Sequence, residues 1–227
     1  PHRHRQMRLN QYLAKHTELS RRSADTAIAD GRVIVNGKLP EIGQQFSESD
    51  LIELDGVPLK QLKTTTIMLN KPVKTICSKI QQGNVVTVYS LLPEELQHLT
   101  YVGRLDKDTS GLLIMSNDGD LIQAVTHPSH QVVKQYEAQL PRVLRPQDLQ
   151  TLQDGVKLED GISKLEISGK GREWVIKIHE GRNRQIRRTF EALGYELDRL
   201  HRSKVGKLTL GTLRPGDYKE IGRGDVL

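Results

Sequence analysis

YVGRLDKDTSGLLIMSNDGDL, residues 101–121, carries more information than any other stretch of this chain. Apolar residues at its start and the run LLIM after Gly111 read as two strands with a polar loop between them. Within the loop Gly103 allows a tight backbone, Arg104 and Asp106 alternate to one side, and Asp108 or Thr109 is placed to bond backbone amides and hold the turn. Spacing alone leaves two readings open. The aspartates are caps of an ordinary polar turn, or the loop presents a carboxylate for chemistry.

Outward from that loop the chain is rich in strand signals: IMLNKPVKTICS before it, with VTVYSLL, and after it KQYEAQL, SKLEISG, EWVIKIHEG and KLTLGTLRPGDYKEI. Helices are expected at DLIQAVTHP, RPQDLQTLQDG and NRQIRRTFEALG. Strands and helices interleave without regular alternating units, which predicts an α+β fold with a mostly antiparallel sheet. The first 60 or so residues read differently. Leu9, Tyr12 and Leu13 stand at helical spacing, and Ser20 occupies an N-cap position before a second helix that buries Ala24, Ala27 and Ile28 and stops at Gly31. RVIVNGK then offers Asn36-Gly37, a type I′ hairpin dipeptide, and LIELDGVPL repeats the strand-turn pattern. LKQLKTTT, ending near Thr66, reads as a linker, so residues 7–63 and 64–227 are expected to form separate domains.

Composition narrows the function. A mean hydropathy of −0.52, with no run near the ~18 apolar residues a transmembrane helix needs, argues against a membrane protein. The single cysteine, Cys77, excludes an intrachain disulfide and a Cys-rich metal cluster, and points to a reducing compartment, the cytoplasm. His127 and His130 lack a third ligand at convincing spacing, and no glycine pattern matches a nucleotide-binding loop, so neither metal nor cofactor is expected. Residues 1–6 are basic without an apolar core and are expected to be trimmed, tag-derived or disordered. The net charge of +6 is spread unevenly: His179 to Lys207 carries eight Lys/Arg against four acids, including Arg182, Arg184, Arg187 and Arg188. Such a stretch suits phosphates.

GRLDKDTSGLL resembles the catalytic motif of the RsuA and RluA pseudouridine synthases, and three further segments follow in the order of the RsuA branch. These are KQYEA, with Tyr136 thirty residues after Asp106, then EGRNRQIRRTFEALG, then LHRSKVGKLTLGTLRPGDYKEI. HPSHQVVKQYEAQL and GVKLEDG are similar to the ribosomal subgroup. RLNQYLAKHTELSRRSADTAIADGRVIVNGK resembles the small α-L RNA-binding fold of the ribosomal protein S four type.

The resemblance implies isomerisation of a uridine within ribosomal RNA, the large-subunit (23S) species favoured over 16S, with no external reactant. By family position Asp106 is the ionised carboxylate that attacks the sugar or removes a proton, Arg187 its ion-pair partner, and Tyr136 the ring that packs on the base. Arg104 helps hold the nucleotide out of its helix, and Leu200 lies near the uracil. Arg21, Arg22 and Lys38 of the leading unit, with Arg182, Arg184 and Arg188, are expected to contact RNA phosphates. The partner is ribosomal RNA or a pre-ribosomal particle, bound without membrane or small-molecule cofactor by a monomer. Two rivals remain: a non-catalytic rRNA-binding or ribosome-assembly protein, against which the intact GRLD aspartate argues, and a glycosidase using Asp106 with Asp108, whose spacing fits poorly.

Overall fold

The computed structural model describes residues 7–40, 45–46, 50–59, 63–81 and 83–227, and the chain divides after Lys63 into two compact units. Residues 1–6 and the central part of the linker segment, residues 60–62, lie outside the described residues.

The first unit runs β1 (Met7–Arg8), α1 (Leu9–His16), α2 (Arg21–Ala29), β2 (Val33–Val35), β3 (Gln45–Phe46), β4 (Ile52–Leu54) and β5 (Val57–Pro58). Helix α2 starts where Ser20 Oγ accepts the Ser23 amide at 3.1 Å, satisfying one of the N–H groups a helix start leaves open. Leu9, Tyr12 and Leu13 of α1 pack on Ala24 and Ala27 of α2 and on Val33, Val35 and Ile52. Asn36-Gly37 has φ of 50° and 77°, and Asp55-Gly56 has 54° and 77°, the paired positive values of a type I′ turn. Val35 and Lys38 close the first turn with backbone bonds of 2.8 and 3.1 Å, but the strand beside β2 is β4, not the residues straight after the turn.

The second unit runs β6 (Thr66–Lys71), β7 (Thr100–Val102), β8 (Ser110–Ser116), α3 (Gly119–Thr126), β9 (Lys134–Gln139), α4 (Pro146–Asp154), β10 (Val156–Leu158), β11 (Gly161–Ser163), β12 (Glu166–Lys170), β13 (Glu173–Ile178), α5 (Gln185–Glu191), β14 (Arg199–Val205), β15 (Leu208–Thr209) and β16 (Tyr218–Glu220). Its main sheet has the order β12-β13-β9-β14-β8-β6-β16, with β15 added to β14 and β7 to β8. Only β8 and β14 pair in parallel; the other pairings in this sheet are antiparallel. Successive residues of the central strands go to opposite faces, and both faces are covered. Leu69, Leu113 and Met115 join one apolar cluster, Met68, Leu112 and Ile114 the other, which is why these strands read as unbroken apolar runs. No helix among the described residues is long and apolar enough to cross a membrane.

Two segments depart from the sequence reading. VTVYSLL forms a 3-10 turn at Tyr89–Leu91 instead of a strand. Val88, Tyr89 and Leu92 are buried together, and the Ser90 amide bonds Thr87 Oγ1 while its hydroxyl bonds the Thr87 carbonyl, so local side-chain bonding wins over β-propensity. GVKLEDG, quoted above only as a family likeness, is the β10–β11 hairpin.

One irregularity of the sheet positions the loop of interest. On the side of β8 away from β6, β7 pairs with residues 114–116 and β14 with residues 110–111. The chain leaves the sheet between these partners as loop 103–109. Gly111 is needed there: a Cβ would lie 2.3 Å from the Arg202 carbonyl oxygen, and φ is +110°.

Candidate active site

Loop 103–109 is gripped from below and from the side. Gly103 takes φ +71°, and the Thr109 amide bonds the Asp106 carbonyl at 3.1 Å. Beneath it Lys71, the last residue of β6 and fully buried, donates to the carbonyls of Thr109 at 2.8 Å and Pro72 at 2.9 Å. Burial pulls the Lys71 amine down to about 8, against the charges of Cys77, Asp106 and Asp108, which favour its protonated form. The expectation that Asp108 or Thr109 bonds backbone amides holds in part: the Asp108 carboxylate takes a bond from its own amide, and Thr109 takes none. Thr109 Oγ1 is buried with no hydrogen-bond partner, and the Asp108 carboxylate turns to arginines. Arg184 Nη1 donates to both of its oxygens at 2.9 and 3.1 Å, and Arg187 Nε lies 3.4 Å away. Burial works to raise the Asp108 carboxyl, but these two guanidiniums outweigh it and hold it below the usual carboxylate range.

The expected Asp106–Arg187 ion pair is therefore corrected. Arg187 bonds the Asp108 carbonyl at 2.7 Å and faces the Asp108 carboxylate, and no ion pair within 4 Å joins it to Asp106 among the described residues. Because the turn at 106–109 points residue 108 at the start of α5, the second carboxylate of the motif meets the guanidinium. Asp106 remains half-buried, with the charges of Lys71 and Arg184 near enough to be felt.

Asp106 and Arg187 line one cleft of about 600 Å³, together with Tyr136, Leu200 and Arg104. The cleft thus gathers every residue assigned a catalytic or uridine-binding role from the sequence. Tyr136 on β9 and Leu200 on β14 are buried, on antiparallel neighbours where Tyr136 stands opposite Arg202 and Leu200 opposite Ala138. Arg104 is exposed. The arrangement offers a carboxylate on a braced loop, an aromatic floor and cations around both, which suits a flat polar ring attached to a phosphate chain.

Of the arginines assigned to RNA, Arg184 lines the cleft in a left-handed conformation, φ 45°. Arg182 and Arg188 hold the loop before α5 to the β10–β11 hairpin. Arg188 Nη2 meets Asp160 at 2.6 Å, and Arg182 Nη1 meets it at 2.9 Å, with Nη2 on the Ile162 carbonyl. Arg188 holds the Asp160 carboxyl below its usual range. Arg188 is partly exposed, and its Nη1 makes no hydrogen bond among the described residues. Arg21, Arg22 and Lys38 are exposed in the first unit, the arginines on the opening turn of α2 and the lysine beside the Asn36-Gly37 turn.

Sequence reading missed two groups. Lys71 was visible as a charge ending an apolar strand just before Pro72, a position that buries it. Arg202 was counted only within the basic stretch, although its two-residue spacing from Leu200 puts it on the same strand face. Among the described residues no three His, Cys, Asp or Glu side chains converge as a metal site.

Residues 65–192 match the family model described as RNA pseudouridylate synthase. The chain is 34% identical to ribosomal large subunit pseudouridine synthase B of Bacillus subtilis, covering 96% of this chain and 93% of that protein. It is 32% identical to ribosomal small subunit pseudouridine synthase A of Vibrio parahaemolyticus, covering 97% and 98%. A crystal structure of a pseudouridylate synthase superposes with a TM-score of 0.67 at 30% identity, over 96% of this chain and 97% of that one. With a family match over more than half its length and relatives of this identity aligned end to end, the chain belongs to the RNA pseudouridylate synthases, isomerases that act on RNA.

Proposed function

We propose that the protein converts a specific uridine of ribosomal RNA to pseudouridine, with Asp106 as the reacting carboxylate. The observation that carries this is the placement of Asp106, half-buried in the cleft on a loop braced by Lys71 and Arg187, beside Tyr136 and Leu200. A uridine inside a helix hides the atoms to be exchanged, so it must turn out into the cleft at a cost of a few kcal/mol. Tyr136 packs on the extruded uracil with Leu200 at its edge, and Arg104, exposed at the rim, fills the place the base leaves or meets a phosphate. Arg187 fixes the loop that carries Asp106 instead of pairing with it directly. Arg184 serves the RNA side of the cleft, and Arg182 and Arg188 act on RNA through the loop they clasp.

The first unit is proposed as an α-L type RNA-binding domain using Arg21, Arg22 and Lys38. Its support is the capped α2 that begins with the two arginines and the type I′ turn that presents the lysine. Large-subunit RNA is favoured over small-subunit RNA on the chain's RluB-like features, while KQYEAQL, GVKLEDG and EGRNRQIRR are similar to the ribosomal subgroup as a whole and LHRSKVG to the small-subunit enzyme; the reaction is placed in the cytoplasm with that RNA. The test is incubation of the protein with 23S and 16S rRNA, then carbodiimide treatment and reverse transcription. A new stop at a single 23S uridine is expected. Binding without any new stop would leave the non-catalytic rRNA-binding protein as the better reading.

A further inference from the structure

Arg202 is a buried guanidinium of the cleft whose bonding, among the described residues, is left incomplete at its fork. It is 3% exposed and stands opposite Tyr136 across the β9–β14 ladder, so the two side chains rise from the same face at the ~5 Å Cβ spacing of cross-strand partners. Its Nε donates to the Leu112 carbonyl at 2.8 Å, on the stretch of β8 that lies between the segments paired with β7 and β14. This bond orients the plane of the group. Neither terminal nitrogen has a hydrogen bond among the described residues, and neither is sealed in the interior, so the fork opens on the cleft it lines. No carboxylate there pairs with it within 4 Å; Asp108 is held by Arg184 and Arg187, and Asp160 by Arg182 and Arg188. Lys71 and Lys134, the nearby amines that sense its charge, add to the positive field. A buried cation with free donors and no counter-charge is costly, and here it faces the space meant for the base.

Resting on the isomerase reading and deepening it, we propose that Arg202 is a catalytic residue that binds a carbonyl oxygen of the target uracil and stabilises the uracil anion formed when the glycosidic bond breaks. As C1′–N1 breaks, its electron pair stays with the uracil and spreads over N1, O2 and O4. After the ring turns, a ring electron pair makes the C1′–C5 bond. The C5 proton then passes to a base, N1 takes up a proton, and no atom is gained or lost. A hydrogen bond from Arg202 to O2 or O4 strengthens as charge builds on that oxygen, so it lowers the barrier more than it tightens binding. A backbone phosphate would satisfy the same donors, but its charge does not change along the reaction and only affinity would depend on Arg202.

The test uses the full chain and Arg202→Gln with rRNA fragments carrying uridine, 2-thiouridine or 4-thiouridine at the target, measuring the single-turnover rate and Kd separately. On uridine the variant is expected to lose ~100-fold or more in rate, the scale of removing one donor to a developing oxyanion, with Kd within about three-fold. One of the sulfur substitutions should slow the wild type and slow the variant at least ~5-fold less, the non-additivity of two partners in one contact. Additive effects at both oxygens, or a loss confined to Kd, overturn the proposal. If Arg202→Gln fails to melt cooperatively, Arg202→Lys, which keeps the charge, goes through the same cycle. Full additivity there overturns the proposal equally. A wild type that binds the uridine fragment without isomerising it would remove the isomerase reading itself, and this proposal with it.

Discussion

Asp108 and Arg187 form a pair whose members live in different surroundings: the Asp108 side chain is 48% exposed and that of Arg187 7%. Removing the exposed partner leaves a buried cation with its two backbone-carbonyl bonds but without this carboxylate, whereas removing the buried one leaves a carboxylate that still has water and Arg184. Asp108→Ala is therefore expected to destabilise the second unit by about 2 kcal/mol, and Arg187→Met by only about 1 kcal/mol. Denaturant melts of the two variants check this, and the reverse order would mean that the pair is not organised as described. The pH dependence follows from the lowered Asp108 carboxyl. Its contribution is present above the unfolded carboxyl value of about 3.9 and is lost as pH falls through the lower folded value. The stability gap between wild type and Asp108→Asn should thus be constant near neutrality and shrink below about pH 4; a gap that widens in acid would contradict the assignment. The position of Asp106 in a polar loop between strands was legible in GRLDKDTSGLL, because glycine and alternating side chains leave a local trace. Which aspartate meets Arg187 was not, since residues 106 and 108 are equivalent by spacing and the choice is made by α5, 79 residues on from Asp108. Lys71 escaped for a related reason: its partners are the carbonyls of Pro72 and Thr109, and backbone groups carry no sequence signal.

At the scale of elements, the parallel β8–β14 contact is the weak point of the sheet, since it spans only residues 110–111 against 201–202. Gly111→Ala drives a methyl into the Arg202 backbone at 2.3 Å and is expected to cost at least about 3 kcal/mol. Gly103 is a useful control. It shares a positive φ of +71° but has nothing within 4 Å of a Cβ, so Gly103→Ala should cost only the left-handed strain of about 1–2 kcal/mol. Equal losses would show that backbone conformation alone, not the close approach of the strands, demands Gly111. The strands of period two and the helices at 119–126, 146–154 and 185–191 were readable because each buries a regular face. VTVYSLL misled because three buried residues in and flanking a 3-10 turn, Val88, Tyr89 and Leu92, imitate a short apolar strand. The β10–β11 hairpin hid because its alternation is confined to Val156-Lys157-Leu158, while Glu159, Asp160 and Ile162 face solvent, too short a pattern to mark two strands.

For the whole molecule, composition and the change near Thr66 pointed to two domains, while the reading of the first as an RNA-binding unit came from family likeness and not from charge alone. Arg21, Arg22 and Lys38 are all exposed, so a chain starting at Thr64 should keep its isomerase activity yet bind rRNA more weakly. With ~0.7 in salt slope per lost phosphate contact, three contacts predict a slope of log Kd against log salt shallower by about 2. Binding of both forms to one rRNA fragment across a salt series checks this, and identical slopes would show that the first unit does not hold the phosphates. The central claim is that the cleft built by loop 103–109 is an isomerisation centre worked by Asp106. The most direct measurement is single-turnover conversion of the target uridine by wild type and Asp106→Asn, with Kd for the same RNA taken alongside. Conversion should disappear in the variant while Kd stays within a few-fold, because the substitution removes a reacting carboxylate and leaves the phosphate contacts in place. Conversion by Asp106→Asn at the wild-type rate would contradict the account.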